Sequence, residues 1–330
     1  MKSAVTIPVG VRSRARSNSV TTARTEPAPH APIDYGLLPT LVGHCVRKAY
    51  SHLFETFPEA LGDIGLAPGQ YNALMLISLN PGLSQMALAD AGGIDQTTMV
   101  PITNRFAEAG WVLRTRRTED RRVYSLRLTP QGEAVLRKAQ PLAGAHEKKL
   151  TAPLSSAERV KLRDLLARIA NLGAEDAPPS TGETADTPIN FGPLPQQVGY
   201  QLRRAYSYLF RTFMSAFKHL QLAPGQYSAL VLIGLNPGMS QLALATAAGL
   251  DGSTIVPITN RFVKLGWIRR TRRASDRRVY SLRITPAGQA VLEAALPLIR
   301  EREKRLAQIL STRERQALID MLRRISGDPA

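Results

Sequence analysis

The chain has 330 residues, a mass of 36.0 kDa and 44% hydrophobic residues, enough for two or three packed domains and too apolar for a wholly disordered polypeptide. Its single cysteine, Cys45, excludes an internal disulfide framework and any cysteine-built zinc or iron–sulfur cage. No apolar run approaches the ~20 residues of a membrane-spanning helix, and a formal charge of +17 with a pI near 10.5 points to a polyanionic partner.

The charge is concentrated. Residues 1–30 carry net +4, residues 113–127 net +4 and residues 269–283 net +6, together 14 of the 17 charges. The last two stretches are arginine-rich, and arginine forks onto phosphates and fits narrow minor grooves. That favours nucleic acid over a merely solvated face.

Residues 1–31 lack apolar periodicity and read as a disordered basic arm, whose Arg/Ser bias weakly resembles an organelle transit peptide. The remainder is a duplication. Pro32 matches Pro188, Tyr50 matches Tyr206, Trp111 matches Trp267 and Pro130 matches Pro286, always 156 residues apart. From Pro101 to Gly132, 23 of 32 positions are identical to Pro257–Gly288. So long a period is a whole domain, not a solenoid unit. The expected organisation is a first domain over 32–172, a linker over 173–188, a second domain over 189–326 and a tail over 327–330.

Each copy predicts the same elements in order. Leu38, Leu41, Val42, Cys45, Val46, Ala49, Leu53 and Phe57 recur at helical spacing, as do Leu202, Ala205, Tyr206, Leu209 and Phe213. Pro68 or Pro224 opens a second helix, which Asn80-Pro81-Gly82 or Asn236-Pro237-Gly238 closes. Ser84 or Ser240 caps a short third helix ending in a glycine turn, and Asp95 or Asp251 caps a longer fourth. Two strands around 112–116 and 123–128 follow, then a helix capped by Thr129 or Thr285 and a last one starting at Ser155/Ser156 or Ser311. Pro101 and Pro257 fall inside the fourth helix, which should bend or adjust its first turn. The fold class is mainly α with small β-hairpin wings: two tandem winged helix-turn-helix domains with helical dimerisation segments.

The short helix, glycine turn, capped helix and basic hairpin suit duplex DNA, with the longer helix in the major groove and the wing over the backbone. Ser84-Gln85-Met86-Ala87-Leu88-Ala89, then Thr98 with Asn104-Arg105-Phe106, Gly110-Trp111 and Asp120-Arg121-Arg122 through Gly132 resemble the MarR family of bacterial transcription regulators. The second copy repeats the pattern from Asp276-Arg277-Arg278 to Gly288. The resemblance implies that Thr97, Thr98, Thr103, Asn104 and Arg105 face DNA, with Ser253, Thr254, Thr259, Asn260 and Arg261 in the second copy. For Thr98 and Thr254 a first-turn hydroxyl capping the backbone is the alternative. In the wings Asp120 and Asp276 are expected to organise the hairpin, Arg122 and Arg278 to enter the minor groove, and Arg121 and Arg277 to support them. The implied function is sequence-specific binding to a pseudo-palindromic operator in the cytoplasm, with repression the expected sense. One chain would act as a pseudo-dimer, with a homodimer of chains as the alternative.

The resemblance further implies release by a small aromatic or phenolic acid bound beside the dimerisation helices. The candidate walls are Arg47, Tyr50, His52, Phe54, Phe57 and Tyr71, matched by Arg203, Tyr206, Tyr208, Phe210, Phe213 and Tyr227; the plain alternative is that these aromatics are core. Differences at His52/Tyr208 and His44/Tyr200 predict unequal affinities of the two pockets, with occupation of one alone as the extreme case. Cys45 lies on an apolar helix face, which favours an inert thiol over redox sensing. The five histidines do not recur at the 156-residue offset, and no nucleotide loop or nucleophile elbow is present. No enzyme, cofactor, metal or membrane partner is therefore expected. Architectural, low-specificity DNA binding is the remaining alternative function.

Overall fold

The computed structural model describes residues 32–116, 123–176, 188–272 and 280–327. The first copy contains α1 (Val42–Ala60), α2 (Pro68–Leu79), the two-residue β1 (Leu83–Ser84), α3 (Gln85–Gly92) and α4 (Gln96–Glu108). The hairpin of β2 (Val112–Arg116) and β3 (Tyr124–Leu128), α5 (Pro130–Leu150) and α6 (Ser156–Asp176) complete it. The second copy repeats this with α7 (Val198–Ala216), α8 (Pro224–Leu235), α9 (Gln241–Ala248), α10 (Gly252–Lys264), β4 (Ile268–Arg272), β5 (Tyr280–Ile284), α11 (Pro286–Ile309) and α12 (Thr312–Ser326). The fold class is as read: mainly helical, with antiparallel wings. The expected linker starts too early, because α6 continues through residue 176.

The local chemistry follows the caps. Ser84 accepts from the Ala87 amide at 3.1 Å and Asp95 from the Thr98 amide at 2.8 Å. Gly93 and Gly249, at φ 60° and 59°, end α3 and α9 in the left-handed conformation that a side chain disfavours. Thr129 and Thr285 cap α5 and α11. At Gly132 and Gly288 a Cβ would lie 2.1 and 2.2 Å from the Trp111 and Trp267 carbonyl oxygens, so only glycine lets each helix start against its wing. Helices α4 and α10 continue through Pro101 and Pro257. Both rings are exposed, and each proline leaves the carbonyl four residues earlier without its helical donor.

The two copies are interleaved. Helix α6 packs along α7, α12 along α1, and α1 crosses α7, where Tyr50 and Tyr206 stack at 4.3 Å. Leu162, Leu166, Leu318 and Leu322 are fully buried in one cluster that also holds Val46, Ala49 and Leu202. The segments before α1 and α7 are exchanged: Leu38 is buried in the cluster of Phe213 and Phe217, and Leu194 in that of Leu74 and Leu76. Equivalent ties recur at the 156-residue offset. Asn236 exchanges two 2.8 Å hydrogen bonds with the Asp34 backbone, and Asn80 does the same with Asn190. Arg168 pairs with Glu314 at 2.6 Å, and Arg324 pairs with Glu158.

Candidate nucleic-acid interface and effector cavity

Each copy presents a helix-turn-helix; α9 and α10 bend by 114° across their turn, within the range of DNA-reading pairs. At the start of α4, the Asp95 carboxylate accepts from the Thr97 hydroxyl at 2.5 Å and the Thr98 hydroxyl at 2.7 Å. Ser253 and Thr254 bind Asp251 in the same way, at 2.5 and 3.0 Å. These hydrogen bonds hold both carboxyls below the usual aspartate range. These hydroxyls therefore bond a side chain rather than cap the backbone, and their oxygens keep lone pairs for a donor outside. Thr97, Thr98 and Ser253 are exposed, and Thr254 is half-buried.

Thr103 and Thr259 correct the expectation. Both are 0% exposed and cannot face a groove. Thr103 donates to Gln85 Oε1 or the Val100 carbonyl, each at 3.0 Å. Thr259 donates within α10 to the Ile255 or Val256 carbonyl. Asn104 and Asn260 are exposed, and each accepts from a wing arginine that the sequence reading missed: Arg114 for Asn104, and Arg270 for Asn260 at 2.9 Å. Arg114 lies 4.4 Å from the Tyr124 ring and Arg270 5.4 Å from Tyr280, with Arg116 and Arg272 over the same rings. Arg116 donates to the Tyr124 hydroxyl at 3.3 Å and lowers its pKa. The signal was available, since alternation puts both arginines on one strand face and the register sets Arg116 opposite Tyr124. Arg105 is exposed, whereas Arg261 is half-buried and donates to Gln226 and the Gln221 carbonyl. Asp120, Arg121, Arg122, Asp276, Arg277 and Arg278 lie outside the described residues.

A cavity of about 400 Å³ opens where α1 meets α7, α8 and α11. Of the expected ligand residues, Arg47, Tyr206, Tyr208 and Tyr227 line it. So do Phe210 and Phe213, also expected as walls, together with His44 and Arg302, which were not. The half-buried Arg302 donates to Thr212 at 3.0 Å and the Leu209 carbonyl at 2.8 Å; partial burial lowers its pKa to about 10, which keeps it cationic at neutral pH. Burial, then Arg47, pushes His44 well below the usual histidine value, and its Nδ1 lies 3.2 Å from the Ser228 hydroxyl. Burial raises the Tyr227 hydroxyl to about 12.

The equivalent space in the first copy is about 20 Å³, so the two copies differ in the room they offer. Tyr71 borders this small space, while Tyr50 is occupied by its stack on Tyr206 and His52 lines neither cavity. Arg47 and Arg203, expected among the ligand walls, direct their guanidiniums elsewhere. Arg47 donates to the Ala248 carbonyl at 2.6 Å and Arg203 to the Gly93 carbonyl at 3.4 Å. Each guanidinium therefore supports the C-terminus of the opposite copy's helix-turn-helix entry helix, where the dipole favours a cation. Cys45 is 5% exposed, with its thiol 3.5 Å from the Pro39 carbonyl.

Two winged helix-turn-helix heads on one helical core, each with an arginine-lined hairpin, define a DNA-binding transcription regulator. The MarR family profile matches residues 66–124 and 222–280, and the chain belongs to the MarR family. It is 35% identical over 146 residues to a Thauera aromatica protein assigned to transcriptional regulation of the hcr operon, spanning 44% of this chain and 88% of that protein. The HTH-type transcriptional repressor NicR of Pseudomonas putida is 28% identical over 147 residues, 44% of this chain and 91% of its own. Among solved structures, the repressor CouR bound to a 23-mer DNA duplex aligns at 35% identity with a TM-score of 0.41, covering 42% of this chain and 99% of that one.

Proposed function

We propose that one chain binds one two-half-site operator as a pseudo-dimer and represses transcription until a small aromatic acid enters the cavity beside α7. The observation that carries this is the exchange of helices: α12 seals α1 and α6 seals α7, the job that two separate subunits would otherwise do for each other. The first domain then runs from 32 to the end of α6 at 176 and the second over 189–326, with each leading segment packed on the opposite copy. Asn104, Arg105, Asn260 and the Asp95- and Asp251-bound hydroxyls face the major groove, and Arg122 and Arg278 are the minor-groove arginines. The effector's ring lies among Tyr206, Phe210, Phe213 and Tyr227 while Arg302 supplies cationic potential. Such a regulator needs no catalytic group, metal or cofactor, and it works in the cytoplasm.

Selection of bound genomic fragments, followed by gel shifts with and without benzoates, salicylates and cinnamates, tests this reading. A preferred site whose occupancy falls on adding one of these acids is the expected result. Binding to random duplex with no preferred site would support the architectural alternative. The buried Cys45 thiol does not favour the redox one.

A further inference from the structure

The two cavities occupy equivalent places yet differ in one carboxylate. In the first copy Glu147 crosses to the second and accepts from the first two amides of α7, Val198 at 2.5 Å and Gly199 at 3.1 Å. Its 156-residue counterpart is Glu303, and the counterparts of those amides are Val42 and Gly43. Glu303 instead pairs with Arg315, although Arg159, the counterpart of Arg315, is turned to the Leu154 carbonyl at 3.0 Å. The first two amides of α1 have no carbonyl within their own helix to bond, and Gly43 borders the 400 Å³ cavity. Tyr200 completes the difference. It fills the first copy, 2% exposed with its hydroxyl on the Ala91 carbonyl at 2.9 Å, where the second copy has the smaller His44.

We infer that the second cavity seats the carboxylate of one aromatic acid on the Val42 and Gly43 amides, in the position that Glu147 itself occupies on Val198 and Gly199. The first copy carries its own carboxylate in that seat and takes no ligand. One chain therefore binds one acid. The inference rests on the effector reading above and adds the anchor and the count. Arg302 raises the positive potential of the seat, and the ring extends towards Phe213 and Tyr227. A cavity of 400 Å³ suits a one- or two-ring acid.

Titration calorimetry of the full chain with cinnamate, benzoate and salicylate tests the count. One acid per chain is expected. Two equal sites would overturn the one-sided seat while leaving the effector reading intact, whereas no saturable binding of all three at millimolar concentration would overturn both. The anchor is tested by Arg315→Met, which releases Glu303 to reach the α1 amides as Glu147 reaches those of α7. Affinity should fall at least about tenfold, and unchanged affinity in the folded variant would overturn the anchor. Glu147→Ala combined with Tyr200→His gives an independent arm should Arg315→Met not fold. It should bring the count to two, and a count that stays at one would overturn the self-occupied first seat.

Discussion

Leu322 is a residue of the second copy whose side chain belongs to the cluster around α1 of the first. Truncating it to alanine tests whether the copies form one cooperative body. The side chain is 0% exposed, and deleting a fully buried leucine costs about 2–5 kcal/mol, from lost transfer energy and the residual cavity. At roughly 2–4 °C per kcal/mol for a chain of this size class, the melting temperature should fall by about 5–15 °C. The chain supplies its own reporters, because its two tryptophans are Trp111 in the first copy and Trp267 in the second. Thermal unfolding followed by fluorescence of Trp267→Phe and Trp111→Phe backgrounds reads each copy separately. Leu322→Ala should lower both transitions together. A shift confined to Trp267 would show that the copies unfold independently and would refute the shared core.

Arg114→Met with Arg270→Met releases Asn104 and Asn260 and should weaken operator binding about tenfold, near 1.4 kcal/mol, by gel shift. Thr259→Val should cost about 1 kcal/mol in urea unfolding without changing base preference in a site selection, since the hydroxyl is internal. Burial holds the folded-state pKa values of His44 and His146 below the ordinary histidine value. The unfolded chain thus binds more protons, and stability should fall as pH drops below about 6.5. Urea midpoints between pH 7 and 5 should show a shallower fall in His44→Gln; an unchanged slope would contradict this. Cys45→Ser should leave DNA binding and its insensitivity to peroxide as they are, checked by gel shift after peroxide treatment.

The elements were largely legible because their boundaries are set by local chemistry: Ser84 and Asp95 as caps, Gly93 in a left-handed turn, and Thr129 before a proline. Thr103 was misread although the signal was present. Met99, Thr103 and Phe106 are spaced by four and three residues, one helix face, and the hydroxyl meets its hydrogen-bonding needs within that face. The roles of Arg47 and Arg203 were not legible, because their acceptors are carbonyls about 201 and 110 residues away in sequence and periodicity says nothing of which copy supplies them. The cavities were half legible. His44 against Tyr200 differs in sequence, but Glu147 and Glu303, like Arg159 and Arg315, are the same residue types in both copies and pair differently only in three dimensions.

Light scattering of the protein bound to its minimal selected duplex reads directly whether one chain occupies one operator. The expected mass is that of one duplex plus a single 36.0 kDa chain, with both heads protected in a hydroxyl-radical footprint of two half-sites one helical turn apart. Two chains on that minimal duplex, each protecting one half-site, would contradict it.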